Sequence, residues 1–74
     1  IQFSIPYSTN VNLNIFDIAG KKIKSLANET MDAGIIDISW AGIGDSGGLV
    51  SSGIYFVVLE MNNSKYINKI TLLK

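Results

Sequence analysis

The chain has 74 residues, with six basic and six acidic side chains, no histidine and no cysteine. Disulfides and thiolate metal sites are therefore excluded, together with the commonest general base and transition-metal ligand. The zero net charge argues against nucleic acid as a partner, and the longest apolar run, residues 54–59, is too short for a membrane span. We expect a single domain over residues 1–74. Because the chain opens inside an apparent strand without a signal peptide, we expect it to be a fragment of a longer protein.

Two strands are predicted at the start of the chain, where apolar and polar residues alternate. Pro6 has no N–H to donate and ends the first strand. The second strand has asparagines on its wet face, but Phe16 and Ile18 fall on that face too, so either a bulge or coverage of both faces is expected there. A tight turn follows from Asp17 to Gly20. The alternating apolar residues are Ile1, Phe3 and Ile5, then Val11, Leu13 and Ile15.

The middle of the chain is less regular. Residues 22–27 have apolar side chains three apart, which favours a short or bulged strand. Residues 28–34 are predicted to form a polar loop. Alternation at residues 36–40, ending on Trp40, predicts a half-buried strand, and the glycines of residues 41–48 predict a turn.

The last third predicts a hairpin of two strands. Residues 54–61 are apolar on both faces apart from Glu60, which fits a central strand covered on both sides or one whose outer face meets a partner. Residues 62–64 form the turn, because asparagine tolerates left-handed geometry. The fold class predicted is all-β, an immunoglobulin-like antiparallel β-sandwich of about seven short strands. The predicted core is Phe3, Leu13, Ile15, Ile36, Ile38, Trp40, Phe56, Val58, Ile70 and Leu72.

Candidate catalytic and metal-binding groups are sparse. The carboxylates are scattered over turns and wet strand faces, so no acid–base pair is indicated. The loop of residues 41–48 offers calcium only Asp45 and Ser46 as side-chain oxygen ligands, where roughly six or more are needed. Its glycines lack the Lys-Ser/Thr pair and following helix of a phosphate-binding loop. The sequence therefore predicts no enzyme, no catalytic residue, no metal and no cofactor.

The aromatic residues have two interpretations. Trp40 could be a platform on which sugars stack, and so could Tyr7 or Tyr66. Trp40, however, has the same parity as Ile38, which favours a place in the core. Tyr55 comes just after a turn at the start of a long strand, where its hydroxyl can pin a corner of the sandwich.

Several short motifs occur in a specific order. They are the strand at residues 1–6, V-x-L-x-I-F-D-x-x-G at residues 11–20, Ala33-Gly34 followed by Trp40, Ser52-Gly53-Ile54-Tyr55-Phe56, and a lysine-flanked strand at residues 69–74. Together they resemble the type A C-terminal sorting domain of the type IX (Por) secretion system, which is closely similar to the Ig-like domain of flagellar hook-capping proteins. That family often has charged residues after the tryptophan, where this chain has Ala41, Ile43 and Gly44.

The resemblance implies a non-catalytic module that directs an attached cargo through the outer-membrane export machinery to the cell surface, after passage through the periplasm. Its partners would be the proteins of that machinery and the upstream cargo domain of the same secreted chain. The expected recognition residues are Gly53 and Tyr55 for shape, with Lys69 and Lys74 as exposed chemistry. Ordinary solubilising charge on an edge strand is an equal explanation for both lysines. The alternatives are an accessory spacer or stabilising Ig-like module, or a carbohydrate-binding module, of a secreted hydrolase.

Overall fold

The computed structural model describes residues 2–45, 47–62 and 64–73. Within them, antiparallel strands form two sheets, one of four strands in the order β3-β2-β5-β6 and one of two strands, β1-β4. None of these residues forms a helix long and apolar enough to cross a membrane. The predicted all-β sandwich is confirmed, and the described residues form six strands where about seven were expected, with an isolated bridge between Ile43 and Leu49. The strands are β1 Gln2–Ile5, β2 Thr9–Asp17, β3 Lys22–Met31, β4 Gly34–Asp37, β5 Gly53–Met61 and β6 Ser64–Leu72.

The core lies between the two sheets and is centred on β2 and β5. Leu13 and Ile15 of β2 are fully buried, and they pair across the sheet with Leu59 and Val57 of β5. Directly opposed residues of an antiparallel pair lie on the same face, so the inner face of β5 consists of its odd-numbered residues. Tyr55 belongs to this inner set and is also buried.

The predicted placement of Phe56 and Val58 in the core is therefore wrong. Both side chains lie on the outer face of the four-stranded sheet, the face turned away from β1 and β4. Phe56 is half-buried there, and Val58 is buried but is not part of the core cluster. Since β5 is apolar at both parities, its own sequence carries no signal for the inner face, and pairing with β2 decides it.

The rest of the predicted core is largely confirmed. Phe3, Leu13 and Ile15 are buried, whereas Ile36, Ile38, Trp40, Ile70 and Leu72 are partly buried and pack against the core cluster. Pairing across the sheets and packing of neighbouring strands add members that the prediction omitted. These are Ile5, Val11, Tyr55, Val57, Leu59 and Met61.

The polar loop expected at residues 28–34 is confirmed only for Asp32 and Ala33, because Gly34 begins β4 and β3 is longer than predicted, covering residues 28–31. Those residues extend β3, paired with β2 up to Met31 opposite Thr9. An edge strand has solvent beside it and needs no continuous apolar pattern, which is why polar residues 28–30 fit there. The expected irregularity of residues 22–27 is confirmed, because the β2–β3 register shifts twice, at Leu13/Asn14 and at Ile15/Phe16.

The second register shift, at Ile15/Phe16, lies at the point where the alternation of apolar and polar residues breaks near the end of β2. On its other side β2 stays in continuous register with β5, with Phe16 opposite Phe56 and Asp17 opposite Tyr55. Phe16 thus lies on the outer face, half-buried, while the irregularity is confined to the pairing with β3. The predicted hairpin is confirmed, with β5 ending at Met61, β6 beginning at Ser64 and Asn62 at φ 49°, while Asn63 of the predicted turn lies outside the described residues.

Candidate recognition surface

Tyr55 fixes the corner at which the chain enters β5. Its hydroxyl donates to the Ser51 carbonyl oxygen at 2.7 Å, and its ring is buried. The bond spans four residues, so it closes the turn that leads from the preceding loop into the strand. The expected corner role of Tyr55 is confirmed. A buried ring cannot itself contact a partner, so any part it has in recognition acts through the shape of this corner.

Gly53 occupies the same corner and is required by its backbone conformation. Its φ is 156°, in the range that L side chains rarely adopt. A Cβ at this position would meet no atom within 4 Å, so space is not the constraint. The structure therefore brings Gly53 and Tyr55 together in one turn, which the positive φ of Gly53 and the hydrogen bond of Tyr55 both shape.

Trp40 packs against the same corner. It follows β4 of the two-stranded sheet, whereas Tyr55 belongs to the four-stranded sheet. Its ring meets that of Tyr55 edge-to-face, with centroids 5.3 Å apart and planes at 73°. The indole Nε1–H donates to the Ile43 carbonyl oxygen at 2.9 Å. Because its ring is partly buried and its only polar atom is engaged, Trp40 is a poor platform for a sugar.

The other two candidate platform residues lie towards the far end of the sandwich. Tyr66 is paired with Leu59, four residues along β5 from Tyr55, a separation of about 13 Å at the usual rise of a strand. The Tyr7 hydroxyl accepts a hydrogen bond from Asn62 Nδ2 at 3.1 Å, in the turn between β5 and β6. The three aromatic residues therefore do not form one row.

Asp17 organises the turn between β2 and β3. Its Oδ1 accepts hydrogen bonds from the backbone N–H groups of Ala19, at 3.0 Å, and Lys21, at 2.8 Å. Gly20 completes the turn at φ 88°, a conformation that favours glycine. Within the motif at residues 11–20, Val11, Leu13 and Ile15 are therefore buried core residues, and Asp17 holds the turn.

Asp45 is committed to holding the glycine-rich loop against β3. Both carboxylate oxygens lie 3.3 Å from the Ser25 backbone nitrogen, and Oδ1 lies 3.7 Å from Lys24 Nζ. The Asp45 N–H donates to the Ile23 carbonyl oxygen at 2.9 Å. Among the described residues, no three acidic, histidine or cysteine side chains converge as a metal site would require. Ser46, the other ligand considered for calcium, lies outside the described residues.

The outer face of the four-stranded sheet presents a contiguous apolar surface. Register aligns Phe16 with Phe56, and Val58 with Ile67, on adjacent strands. Ile67 is 58% exposed and Ile54 is 37% exposed, so the surface is open at the β6 side and at the start of β5. We call it the outer-face patch. It consists of Phe16, Ile54, Phe56, Val58 and Ile67.

Lysines flank this patch at both edges of the sheet. Lys22 pairs with Phe16 on the β3 side, and Lys69 pairs with Phe56 on the β6 side. The exposed Lys69 therefore lies at one end of a row that runs across the four strands. In this row Phe16 and Phe56 lie between Lys22 and Lys69. Lys69 is on the opposite face from Tyr55 and Gly53, so the structure does not combine the predicted recognition residues into one site. Lys74 lies outside the described residues.

Sequence reasoning missed the outer-face patch as a candidate site, although one signal pointed to it. That signal was the run of residues 54–61, apolar at both parities, for which an outer face meeting a partner was one of two explanations. Phe16 and Lys22 could not be assigned to the same surface, because the bulges between β2 and β3 hide their pairing from any simple period.

Comparison with known families supports the immunoglobulin-like assignment. A family model described as FlgD Ig-like domain matches residues 5–65, which is most of the chain. The chain belongs to the FlgD Ig-like domain family. Members of this family are structural rather than catalytic domains. The matched region ends before Lys69, so the terminal lysines lie outside it. No curated protein and no solved structure matches the chain significantly.

Proposed function

We propose that this FlgD Ig-like domain is a non-catalytic sorting module that directs an attached cargo through the type IX outer-membrane export machinery to the cell surface. The proposal combines the family membership with the motifs that resemble the type A sorting domain. On this proposal the domain is exported through the periplasm, and its partners are the secretion machinery and its own upstream cargo.

The observation that carries the proposal is the outer-face patch with its flanking lysines. Three side chains that could have carried chemistry, Asp17, Asp45 and Tyr55, each hold a turn or loop. The outer-face patch is not used in this way, and it combines exposed apolar area with Lys69, one of the four residues expected to take part in recognition. Apolar surface rimmed by polar groups is typical of protein–protein contact.

The test is export of a reporter. Residues 1–74 are fused, with their native upstream linker, to a periplasmic fluorescent reporter in a host that has the type IX system. We expect the fusion to reach the cell surface, where protease added to intact cells removes its fluorescence. A fusion that stays folded in the periplasm would contradict the proposal.

Recognition by the outer face is tested with single substitutions in that fusion. Lys69→Gln removes an exposed charge beside Phe56 and is expected to reduce export at least several-fold, while Lys74→Gln tests the second predicted lysine. Lys21→Gln is the matched control, because it removes the same charge from an exposed position in the β2–β3 turn. Circular dichroism of each purified domain checks that folding is unchanged. Equal export of Lys69→Gln and Lys21→Gln would exclude the outer-face lysine from recognition.

The family assignment also favours a second candidate, an accessory structural Ig-like module that spaces or stabilises a larger protein or assembly. The family is named after FlgD, a flagellar hook-related protein. A spacer would leave reporter location unchanged but would raise the thermal midpoint of its neighbouring domain. Melting the cargo domain with and without residues 1–74 therefore separates the two candidates. The carbohydrate-binding alternative has less support, because Trp40 is packed against Tyr55.

A further inference from the structure

The edges of the two sheets are unequally protected. Strand β3 has two register shifts and carries Lys22 and Lys24, and β6 carries Lys65 and Lys69. Strand β4 carries Asp37. Such charges and bulges prevent an edge from pairing with another chain. Among the described strands, β1 has neither, since its sequence is uncharged and it pairs with β4 without a register shift.

The free edge of β1 adjoins an uncovered part of the inner face of β6. One shallow cleft is lined by Gln2, Phe3, Ser4, Leu59, Tyr66 and Asn68, so β1 lies near β5 and β6. On β5, Leu59 and Val57 are covered, with exposures of 1% and 0%. Their partners on β6, Tyr66 and Asn68, are exposed although they point to the same face. We call the inner face of β6 at Tyr66 and Asn68 the shelf.

The two-stranded sheet leaves β6 uncovered beyond the free edge of β1. The sheet that faces the four strands has only two, and β1 lies over the side of β5 that is nearer β6. Neighbouring strands lie about 4.8 Å apart, and facing sheets about 10 Å apart. A strand hydrogen-bonded to the free edge of β1 would therefore lie over β6 and cover Tyr66 and Asn68.

We propose that the free edge of β1 and the shelf accept a single extended strand from a second polypeptide. The strand is uncharged and carries small or apolar residues at the alternate positions that face the shelf. This choice follows from electrostatic matching, because β1, Tyr66, Asn68 and Ile70 are all uncharged. A charged side chain turned towards the shelf would lose water without finding a counter-charge. Backbone hydrogen bonds to β1 supply the attraction, as in other strand-addition complexes.

A second folded copy of the domain does not fit this site. Pairing two β1 edges about a two-fold axis would bring each copy's β6 beneath the other copy's β1. In each copy, the space beneath β1 is already filled by the β5 of that same copy. The two four-stranded sheets would therefore collide. The shelf therefore admits an isolated strand and excludes a strand that already belongs to a sandwich.

The probe is an acetylated synthetic peptide of alternating valine and threonine, with a Gly-Lys pair at each end for solubility. Titration into ¹⁵N-labelled protein is expected to shift the amide signals of β1, Tyr66 and Asn68, and to slow hydrogen exchange in β1 at least roughly tenfold. A control peptide with two adjacent central prolines cannot complete the ladder and is expected to cause no such change. Shifts confined to β3, β4 or the outer face would overturn the proposal.

Two matched variants test the shelf. Asn68→Asp places a charge on the shelf at an exposed position, and we expect it to weaken peptide binding at least tenfold. Thr71→Asp places the same charge at an exposed position on the outer face of the same strand, and we expect it to leave binding unchanged. Thermal melting checks that both variants fold. Equal binding by the two variants would contradict the role of the shelf.

Joining the peptide covalently to the domain allows binding to be detected even if the affinity of the free peptide is low. The same strand, joined ahead of residue 1 by a flexible Gly-Ser linker, has an effective concentration of roughly millimolar at β1. We expect it to raise the thermal midpoint by several degrees relative to the tethered proline control. Equal midpoints would overturn the proposal. Sedimentation of the free domain provides a further check, since a dimer that Asn68→Asp abolishes would identify a second copy as the occupant instead.

Discussion

The Tyr55 hydroxyl joins the start of β5 to the loop before it. Tyr55→Phe removes the hydrogen bond to the Ser51 carbonyl oxygen but keeps the ring against Trp40. We expect the free energy of unfolding to fall by about 1 kcal/mol, the net value of a typical hydrogen bond, as measured by urea denaturation.

The matched control is Tyr66→Phe, which deletes a hydroxyl from a half-exposed ring on β6. We expect its effect on the free energy of unfolding to stay within about 0.5 kcal/mol. If both variants lost the same free energy of unfolding, the loss would come from removing a hydroxyl as such. The hydrogen bond to the Ser51 carbonyl oxygen would then add no stability of its own.

Asp45 supports a loop through its side chain, and the two functions of its carboxylate can be separated. Asp45→Ala removes the acceptor for the Ser25 N–H and the contact with Lys24, so we expect a loss of about 1 kcal/mol. Asp45→Asn keeps an acceptor oxygen and loses only a partly exposed ion pair, which should cost less than about 0.5 kcal/mol.

Calcium should not substitute for those contacts. Since Asp45 is already engaged and the described part of the loop brings no further carboxylate beside it, we expect millimolar calcium to move the thermal midpoint by less than about 1 °C. Differential scanning fluorimetry with calcium and with EDTA measures this. A calcium-dependent rise of several degrees, lost in Asp45→Asn, would show that the loop binds the ion.

At the scale of elements, the two faces of β5 and β6 should respond differently to the same chemical change. Val57→Thr puts a hydroxyl into the fully buried core and should cost about 1–3 kcal/mol. Ile67→Thr puts one on the exposed outer face and should change the free energy of unfolding by less than about 0.5 kcal/mol. Urea denaturation of both variants is the measurement. A larger loss for Ile67→Thr would reverse the assignment of the faces.

How far sequence predicts each element depends on how clearly its two faces differ. The alternation of β2 with asparagines was enough to place Leu13 and Ile15 in the core, because one face was polar. Strand β5 has apolar residues on both faces, so Phe56 and Val58 were assigned to the wrong one. Only pairing with β2 decides between them, and pairing is a tertiary fact that a single strand's sequence does not contain.

The candidate site was predictable only in pieces for the same reason. The corner formed by Gly53 and Tyr55 is local in sequence, and its turn chemistry could be predicted from residues 51–55. The row that joins Lys69 to Phe56, Phe16 and Lys22 spans four strands, and bulges shift its last step. Sequence therefore identified Lys69 as a candidate without identifying the apolar surface beside it.

For the molecule as a whole, zero net charge makes the placement of charges important. A neutral domain lacks the overall repulsion that keeps many proteins apart in solution, so local charges must limit association. Lys65 and Lys69 supply such charges along β6, whose outer edge is free and whose outer face exposes Ile67. The free edge of β1, by contrast, is shielded from another sheet by the protruding β6.

This distribution predicts a difference between two lysine substitutions of equal charge. Lys69→Val removes the charge from the β6 edge and extends the outer-face patch. We therefore expect aggregation at 37 °C, measured by light scattering, to accelerate several-fold. Lys21→Val makes the same change of charge and hydrophobicity in the β2–β3 turn, away from a strand edge, and should aggregate at close to the rate of the unmodified domain. Urea denaturation must first show equal stability for the two variants, because unfolding alone also promotes aggregation. Equal acceleration in both would mean that net charge, rather than its position on the edge strand, keeps the domain soluble.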